Sequence, residues 1–186
     1  LVPAGEWEDS ATKVAGLGDL IAEYVDLDAV MDLAATAPDL DVEPWDPAAT
    51  LESAGWQGHP FGESPVVGMF AGRAFTFRYP ETTEMLIAAG FRVVDVDPLT
   101  DRRLPDGIQG LYLGGGFPQM HATDLETNSE LADDVRSHAE AGMPIVAECA
   151  GLLYLCRHLD GHEMAGVLPM DAAMAKRLTM GYRVAT

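Results

Sequence analysis

Basic residues are scarce in this sequence, and their scarcity excludes one large class of partner. The 186 residues include 30 Asp and Glu but only 11 Lys and Arg, which gives a formal net charge of −19. A nucleic acid or an acidic membrane surface would be repelled at long range by such a charge. We therefore expect no nucleic acid partner and no membrane partner.

Long hydrophobic runs and cysteine clusters are also missing. No apolar run reaches the roughly 18 residues that a membrane-spanning helix needs, and the N-terminus has neither the basic start nor the apolar core of a signal peptide. Two cysteines, Cys149 and Cys156, are too few for a disulfide framework or a zinc knuckle. We expect a reducing, cytoplasmic setting and no metal site. The missing initiator Met predicts that the chain is a segment of a longer protein.

The acidic residues are unevenly distributed, which divides the chain in two. Residues 1–65 contain 14 Asp and Glu and one basic residue, whereas residues 66–186 contain 16 and ten. Apolar residues at helical spacing predict one helix over 11–25 and a second after Asp26. Five prolines and three glycines within 38–65 are typical of a linker. We expect an acidic helical segment with a linker over 1–65, followed by a separate domain over 66–186.

Strands and helices alternate in the second part of the chain. Short apolar runs predict strands that are buried on both faces, at 66–71, 91–96, 110–113 and 144–147. Amphipathic stretches between and after these runs predict helices at about 80–89, 124–141 and 150–159. Such alternation is typical of an α/β fold with a doubly wound, mostly parallel sheet flanked by helices. Further strands are expected at 164–167 and 177–185.

The segment from Ala147 to Gly151 combines a cysteine with the small residues that a nucleophile elbow requires. The backbone is crowded at a tight strand-to-helix turn, so small residues are needed two positions before and after the nucleophile. Ala147 and Gly151 meet this condition around Cys149. The N-terminus of the following helix would stabilise a thiolate. The alternative is a buried structural cysteine, since free cysteines are among the most buried residues.

A triple glycine follows the third predicted strand. Gly114, Gly115 and Gly116 would allow backbone N–H groups to turn toward a ligand. The loop could form an oxyanion hole beside Cys149, cradle a phosphate or be a simple turn. The P-loop and dinucleotide-binding patterns are both absent, which weakens the phosphate interpretation. Because ligands bind at the carboxyl ends of parallel strands, we expect the loop and the elbow on the same edge of the sheet.

Two segments resemble the glutamine amidotransferase domain of cobyrinic acid (or hydrogenobyrinic acid) a,c-diamide synthase. They are LYLGGGFP at 111–118 and AECAGLLYL at 147–155. Further segments are similar to the same family, at 74–81, 166–169 and 177–183. The resemblance covers 66–186 in the family's order and implies a class I glutamine amidotransferase-like, flavodoxin-like fold whose C-terminal part is missing. Residues 1–65 resemble, more weakly, the tail of the family's ATP-binding synthetase half.

The resemblance implies a division of labour between two halves of a longer enzyme. In this half, Cys149 would attack the glutamine carboxamide, and the N–H groups of Ala150 and of Gly115 or Gly116 would hold the tetrahedral oxyanion. Ammonia would pass to the synthetase half, where ATP and Mg²⁺ activate the a and c carboxylates of a corrin, cobyrinic or hydrogenobyrinic acid. Neither ATP nor Mg²⁺ would bind to this chain. The catalytic histidine is expected beyond residue 186, so the chain alone is expected to be inactive.

Two alternatives to this function stay open. The domain could serve another amidotransferase, such as cobyric acid synthase or a cell-wall amidating enzyme, although the residues at 148–155 favour the diamide synthase. It could also be a non-catalytic binding module, against which the combination of elbow and glycine loop argues. Within the elbow, Glu148 could hold the turn or act as an acid or base, and we favour the first role. Of the histidines, only His121 is expected near the carboxyl ends of the strands. The sequence leaves open whether the corrin contains cobalt.

Overall fold

Residues 10–59 and 64–176 are described by the computed structural model, and they divide into two units between Trp45 and Asp46. We call these the N-terminal unit and the sheet unit. Within the described ranges, no helix is both long and apolar enough to cross a membrane.

Two helices make up most of the described part of the N-terminal unit. α1 spans Ser10–Tyr24 and α2 spans Leu27–Ala35, as the helical spacing predicted. Asp26 caps α2, because its carboxylate accepts a 2.9 Å hydrogen bond from the Ala29 N–H. Neither helix has a buried residue among those described, so the apolar faces of both helices are exposed there.

A helix lies where the sequence predicted a linker. α3 spans Pro47–Ser53 and packs against α4, which spans Pro80–Ala88. Asp46 caps α3 by accepting hydrogen bonds from the N–H groups of Ala48 and Ala49, at 2.8 and 3.1 Å. The linker prediction was wrong here because Asp followed by Pro is also a strong helix start, which the surrounding prolines obscured. The sheet unit consequently begins at Asp46, before the predicted domain boundary.

The sheet unit is built on four parallel strands in the order β2-β1-β3-β4. The strands are β1 (Val66–Phe70), β2 (Arg92–Val96), β3 (Ile108–Leu113) and β4 (Ile145–Ala147). The helices after α4 are α5 (Ala122–Thr127), α6 (Ser129–Glu140) and α7 (Ala150–Leu155). All five residues of β1 are buried, as expected of an inner strand covered on both faces. The predicted α/β fold, with a parallel sheet flanked by helices, is confirmed.

Two predicted helices are shorter in the structure. The helix predicted over 124–141 is divided at Asn128, whose φ of −86° and ψ of 52° interrupt it. The Asn128 side chain is buried and donates hydrogen bonds to the carbonyl oxygens of Pro98 and Asp101, both at 2.7 Å. The last predicted helix ends at Leu155 instead of residue 159, because the chain enters a strand at His158.

A second, small sheet follows α7. Its strands are β5 (His158–Leu159), β6 (His162–Glu163) and β7 (Asp171–Ala172), in the order β6-β5-β7. β5 and β6 form an antiparallel hairpin, and the positive φ angles of its two turn residues, 52° and 90°, are typical of tight hairpin turns. Residues 164–167, predicted as a strand, form no regular element. The strand predicted at 177–185 lies outside the described residues.

An aromatic cluster joins the first strand of the main sheet to α7. The rings of Phe70, Phe75 and Tyr154 meet edge to face, with centroid distances of 5.0, 5.1 and 6.0 Å. Each of these side chains is at most 1% exposed. Aromatic pairs in this geometry add about 0.5–1.5 kcal/mol each beyond the burial of their area. Tyr154 therefore anchors α7, and with it the turn that precedes this helix, to the core.

Gly151, the second residue of α7, allows us to test the close contact between this helix and β3. A Cβ atom on Gly151 would overlap the carbonyl oxygen of Leu113, which is a backbone atom and cannot rotate away. We expect G151A to lower the free energy of unfolding by at least about 2 kcal/mol, as overpacked cores do. In the control G110A, the new Cβ would have ordinary contacts at 3.7 Å, so the change should be under about 1 kcal/mol. Urea titrations measure both variants, and equal losses would contradict this account of Gly151.

Candidate active site

Cys149 lies in a tight turn between β4, which ends at Ala147, and α7, which begins at Ala150. Its φ of 49° and ψ of −110° are outside the favoured regions for a residue with a side chain. Such a backbone costs about 1–3 kcal/mol and persists only where neighbouring contacts enforce it. The cysteine is exposed, which contradicts the alternative of a buried structural cysteine. The turn therefore has the strained backbone of an elbow and presents its thiol to solvent.

Two backbone hydrogen bonds tie this elbow to the end of β3 and the glycine that follows it, and a third lies within the elbow itself. The Glu148 N–H donates to the Leu113 carbonyl oxygen at 3.0 Å. The Gly151 N–H donates to the carbonyl oxygens of Gly114 and Glu148, at 3.0 and 2.8 Å. Because Gly151 has no Cβ, α7 approaches the end of β3 closely enough for these bonds to form. The glycine loop and the elbow consequently lie together on one edge of the sheet.

The N–H groups of the glycine loop differ in their availability. Gly115 and Phe77 pair reciprocally, since the Phe77 N–H donates to Gly115 at 3.0 Å and the Gly115 N–H donates to Phe77 at 3.3 Å. Among the residues that the structure describes, no group accepts a hydrogen bond from the N–H of Gly116 or of Ala150. A Cβ on Gly116 would overlap the Ala74 carbonyl oxygen, so no side chain fits there. Of the two loop glycines predicted as oxyanion donors, Gly115 has its N–H paired with Phe77, and Gly116 has an N–H without an acceptor among the described residues.

Tyr112 contacts the elbow through its side chain, which the sequence analysis did not predict. Its hydroxyl donates a 2.7 Å hydrogen bond to the Oε1 atom of Glu148, the residue before Cys149. Strand alternation explains this contact, because Tyr112 is in register with Val146 and residue 148 projects from the same face of the sheet. Burial, and then the hydrogen bond to Glu148, raise the pKa of the Tyr112 hydroxyl. The hydroxyl therefore stays protonated at neutral pH and available as a donor.

Three histidines of the sheet unit are hydrogen-bonded to acidic residues. The Nδ1 atoms of His138, His158 and His162 lie 2.9, 2.8 and 2.9 Å from the Asp134 carbonyl oxygen, the Asp171 carboxylate and the Glu126 carboxylate. The hydrogen bonds from His162 and His158 are the main reason that the pKa values of Glu126 and Asp171 are lowered. His121 is buried in the short 3-10 helix after the glycine loop. Over 10–59 and 64–176, no histidine is hydrogen-bonded to Cys149, and no three His, Cys, Asp or Glu side chains form a metal-binding group.

Residues 66–186 match the family described as the CobB/CobQ-like glutamine amidotransferase domain. The chain belongs to this family. Its sequence is 46% identical to the hydrogenobyrinate a,c-diamide synthase of Thermobifida fusca, over 98% of the chain and 39% of that protein. The family resemblance predicted from the sequence motifs is confirmed, and the elbow and glycine loop are parts of an amidotransferase domain.

Two further relatives of this amidotransferase domain have similar names. The hydrogenobyrinate a,c-diamide synthase of Streptomyces coelicolor is 43% identical over 98% of the chain and 43% of that protein. The cobyrinate a,c-diamide synthase of Magnetococcus marinus is 38% identical over 94% of the chain and 37% of that protein. The chain thus spans about two-fifths of the length of these curated relatives.

The two cysteines should differ in their reactivity toward a thiol reagent. Cys149 is exposed, whereas Cys156 is only 2% exposed and its thiol donates to the Leu152 carbonyl oxygen at 3.3 Å. Burial, and then the charge of Asp171, raise the pKa of the Cys156 thiol, which lowers its thiolate fraction at neutral pH. We expect iodoacetamide to label Cys149 at least about tenfold faster than Cys156. Peptide mass spectrometry measures both rates; equal rates, or a fast adduct that survives in C149A, would contradict this expectation.

Proposed function

We propose that this chain is the glutaminase portion of an ATP-dependent corrin a,c-diamide synthase of cobalamin biosynthesis. The observation that carries the proposal is the strained, exposed elbow at Cys149, in a chain 46% identical to a hydrogenobyrinate a,c-diamide synthase. A non-catalytic binding module would have no need of that strain. The names of the relatives support this choice over cobyric acid synthase and cell-wall amidating enzymes.

The proposed reaction begins when the thiolate of Cys149 attacks the carboxamide carbon of glutamine. The carbon–nitrogen bond then breaks, ammonia leaves with a proton from the general acid, and a thioester of glutamate and Cys149 remains. Water hydrolyses the thioester, which releases glutamate and restores the thiol. The N–H groups of Ala150 and Gly116 would hold the oxyanion of each tetrahedral intermediate, since neither has an acceptor among the described residues. Gly115 would join them only if its pairing with Phe77 opened.

Glutamine hydrolysis also needs a base for the thiol proton and an acid for the departing ammonia, roles that one histidine usually fills. In the described part of the chain, three histidines are engaged with acidic residues, and none is hydrogen-bonded to Cys149. We therefore assign the catalytic histidine to a segment of the polypeptide beyond residue 186.

The synthetase chemistry belongs, in this proposal, to a part of the polypeptide outside this chain. The sequence has no P-loop, and the described residues include no group of three potential metal ligands. These residues do not fit ATP or Mg²⁺, and no step of the proposed glutamine hydrolysis passes through either. We assign 66–186, the residues that the family matches, to the glutaminase domain together with α3, which packs on α4, and we assign the residues before Asp46 to the tail of the synthetase half. In that half, ATP and Mg²⁺ would activate the a and c carboxylates for amidation by ammonia.

The names of the relatives include both hydrogenobyrinate and cobyrinate. The Thermobifida and Streptomyces relatives are named for hydrogenobyrinate and are 46% and 43% identical over 98% of the chain, whereas a Synechococcus relative named for cobyrinate is 44% identical over 61% of it. We therefore propose a corrin of this pair, cobyrinic or hydrogenobyrinic acid, as the substrate of the synthetase half and glutamine as the substrate of this domain. The cytoplasmic location and the expected absence of nucleic acid and membrane partners stay predictions.

The nucleophile can be tested with C149A in the full-length protein. Glutamine-dependent amidation should be abolished, and amidation driven by free ammonia should stay within about twofold of the wild type, because the thiol serves only glutamine hydrolysis. C156A is the matched control, since it removes a buried thiol at the end of the same helix. It should keep both activities and lose at most about 1–2 kcal/mol of stability. Undiminished glutamine-dependent activity in C149A would rule out Cys149 as the nucleophile.

By itself, the 186-residue chain should release ammonia from glutamine at a rate near background. General acid–base help typically contributes about 10²–10⁴-fold, and we place its source outside this chain. The measurement compares ammonia release by the chain and by the full-length protein at equal concentrations. Comparable rates would show that a histidine of this chain is the base, and would refute our assignment; the candidates would be His121, His138, His158 and His162.

A further inference from the structure

Glu148, the residue before the nucleophile, is held at its backbone and at its side chain. Its N–H donates to Leu113 at 3.0 Å and its carbonyl oxygen accepts from Gly151 at 2.8 Å. Its Oε1 atom accepts from the Tyr112 hydroxyl at 2.7 Å. The next residue, Cys149, has the strained φ of 49°. Because such strain relaxes unless several contacts oppose it, each of the three contacts helps to keep Cys149 in place.

Tyr112 is well placed to hold Glu148. It belongs to β3, where it lies half-buried. The bond from its hydroxyl to the Glu148 carboxylate is charge-assisted, and such bonds are stronger than neutral ones.

We propose that Tyr112 is a positioning residue for glutamine hydrolysis: through Glu148, it holds the peptide that carries Cys149 in its strained, exposed conformation. The inference rests on the proposed glutaminase function. Loss of the hydroxyl would loosen the turn without removing any reacting group. Small displacements of a nucleophile lower the reaction rate strongly, because attack requires that the reacting atoms be aligned and almost in contact.

Glu148 could instead act as an acid or base in the reaction, and this role predicts a different activity for a variant that cannot exchange a proton. If its carboxylate were an acid or base in the reaction, the bond to Tyr112 would be incidental. The two roles are separable, because a glutamine at position 148 keeps an acceptor oxygen for the Tyr112 hydroxyl but cannot exchange a proton in catalysis.

The test is a set of variants of the full-length protein: Y112F, E148A, both combined, and E148Q. We expect Y112F and E148A each to lower the glutaminase kcat about tenfold, with KM for glutamine changed less than about twofold. The double variant should be no worse than either single variant, because each removes the same contact. E148Q should recover most of the activity that E148A loses. Amidation driven by free ammonia should be retained in all four.

Alkylation of Cys149 in the 186-residue chain gives a second readout that does not depend on turnover. Iodoacetamide should label Cys149 about threefold more slowly in Y112F than in the wild type, because a relaxed elbow presents the thiol less often. Labelling of Cys156 should be unchanged. Y24F is the matched control, since it removes the hydroxyl of an exposed tyrosine in α1 and should alter neither rate.

Two outcomes would overturn the proposal. If E148Q were as inactive as E148A, Glu148 would be an acid or base and Tyr112 would have no positioning role. If Y112F left both kcat and the alkylation rate unchanged, the hydrogen bond would not hold the elbow. Failure of the glutaminase function itself is distinguishable, because the wild type would then release no ammonia from glutamine, or C149A would keep the glutamine-dependent activity of the wild type. In that case, the alkylation rate of Y112F would still decide whether Tyr112 holds Cys149.

Discussion

The edge of the sheet that carries the candidate active site depends on one close backbone contact, between Gly151 in α7 and Leu113 at the end of β3. No side chain fits between them, and the Gly151 N–H donates instead to the carbonyl oxygen of Gly114. Because β3 and β4 pair in parallel, the segments after them are neighbours although they are distant in the sequence, and this contact brings them close together. The exposed thiol and the glycine loop are therefore positioned together.

The packing beneath the elbow opposes the strain within it. α7 begins directly after the strained Cys149 and carries Tyr154, which packs edge to face against Phe70 and Phe75 in the core. Aromatic pairs of this kind contribute about 0.5–1.5 kcal/mol each beyond burial, which is comparable to the 1–3 kcal/mol that the strained backbone costs. A well-packed core on one side of the helix thus permits an unfavourable conformation at its start, where an exposed nucleophile is needed.

The regular elements of the sheet unit could mostly be predicted, because buried parallel strands are short apolar runs and the helices between them are amphipathic. The errors arose where local signals compete or where distant groups decide. At Asp46, a helix start was hidden among prolines that are typical of a linker. At Asn128, a helical pattern continues in the sequence, but the carbonyl groups of Pro98 and Asp101 accept hydrogen bonds from the side chain where the helix is interrupted.

The sequence by itself determined the alternation of β1 to β4 with helices, the small residues around Cys149 and the family of the chain, since each is a pattern among neighbours in the chain. Only the tertiary structure decided which N–H of the glycine loop is free, because Gly115 pairs with Phe77 from another segment. It also brought Tyr112 to the residue before Cys149. Both contacts depend on how strands and loops pack together in space, and no local preference of the chain encodes that arrangement.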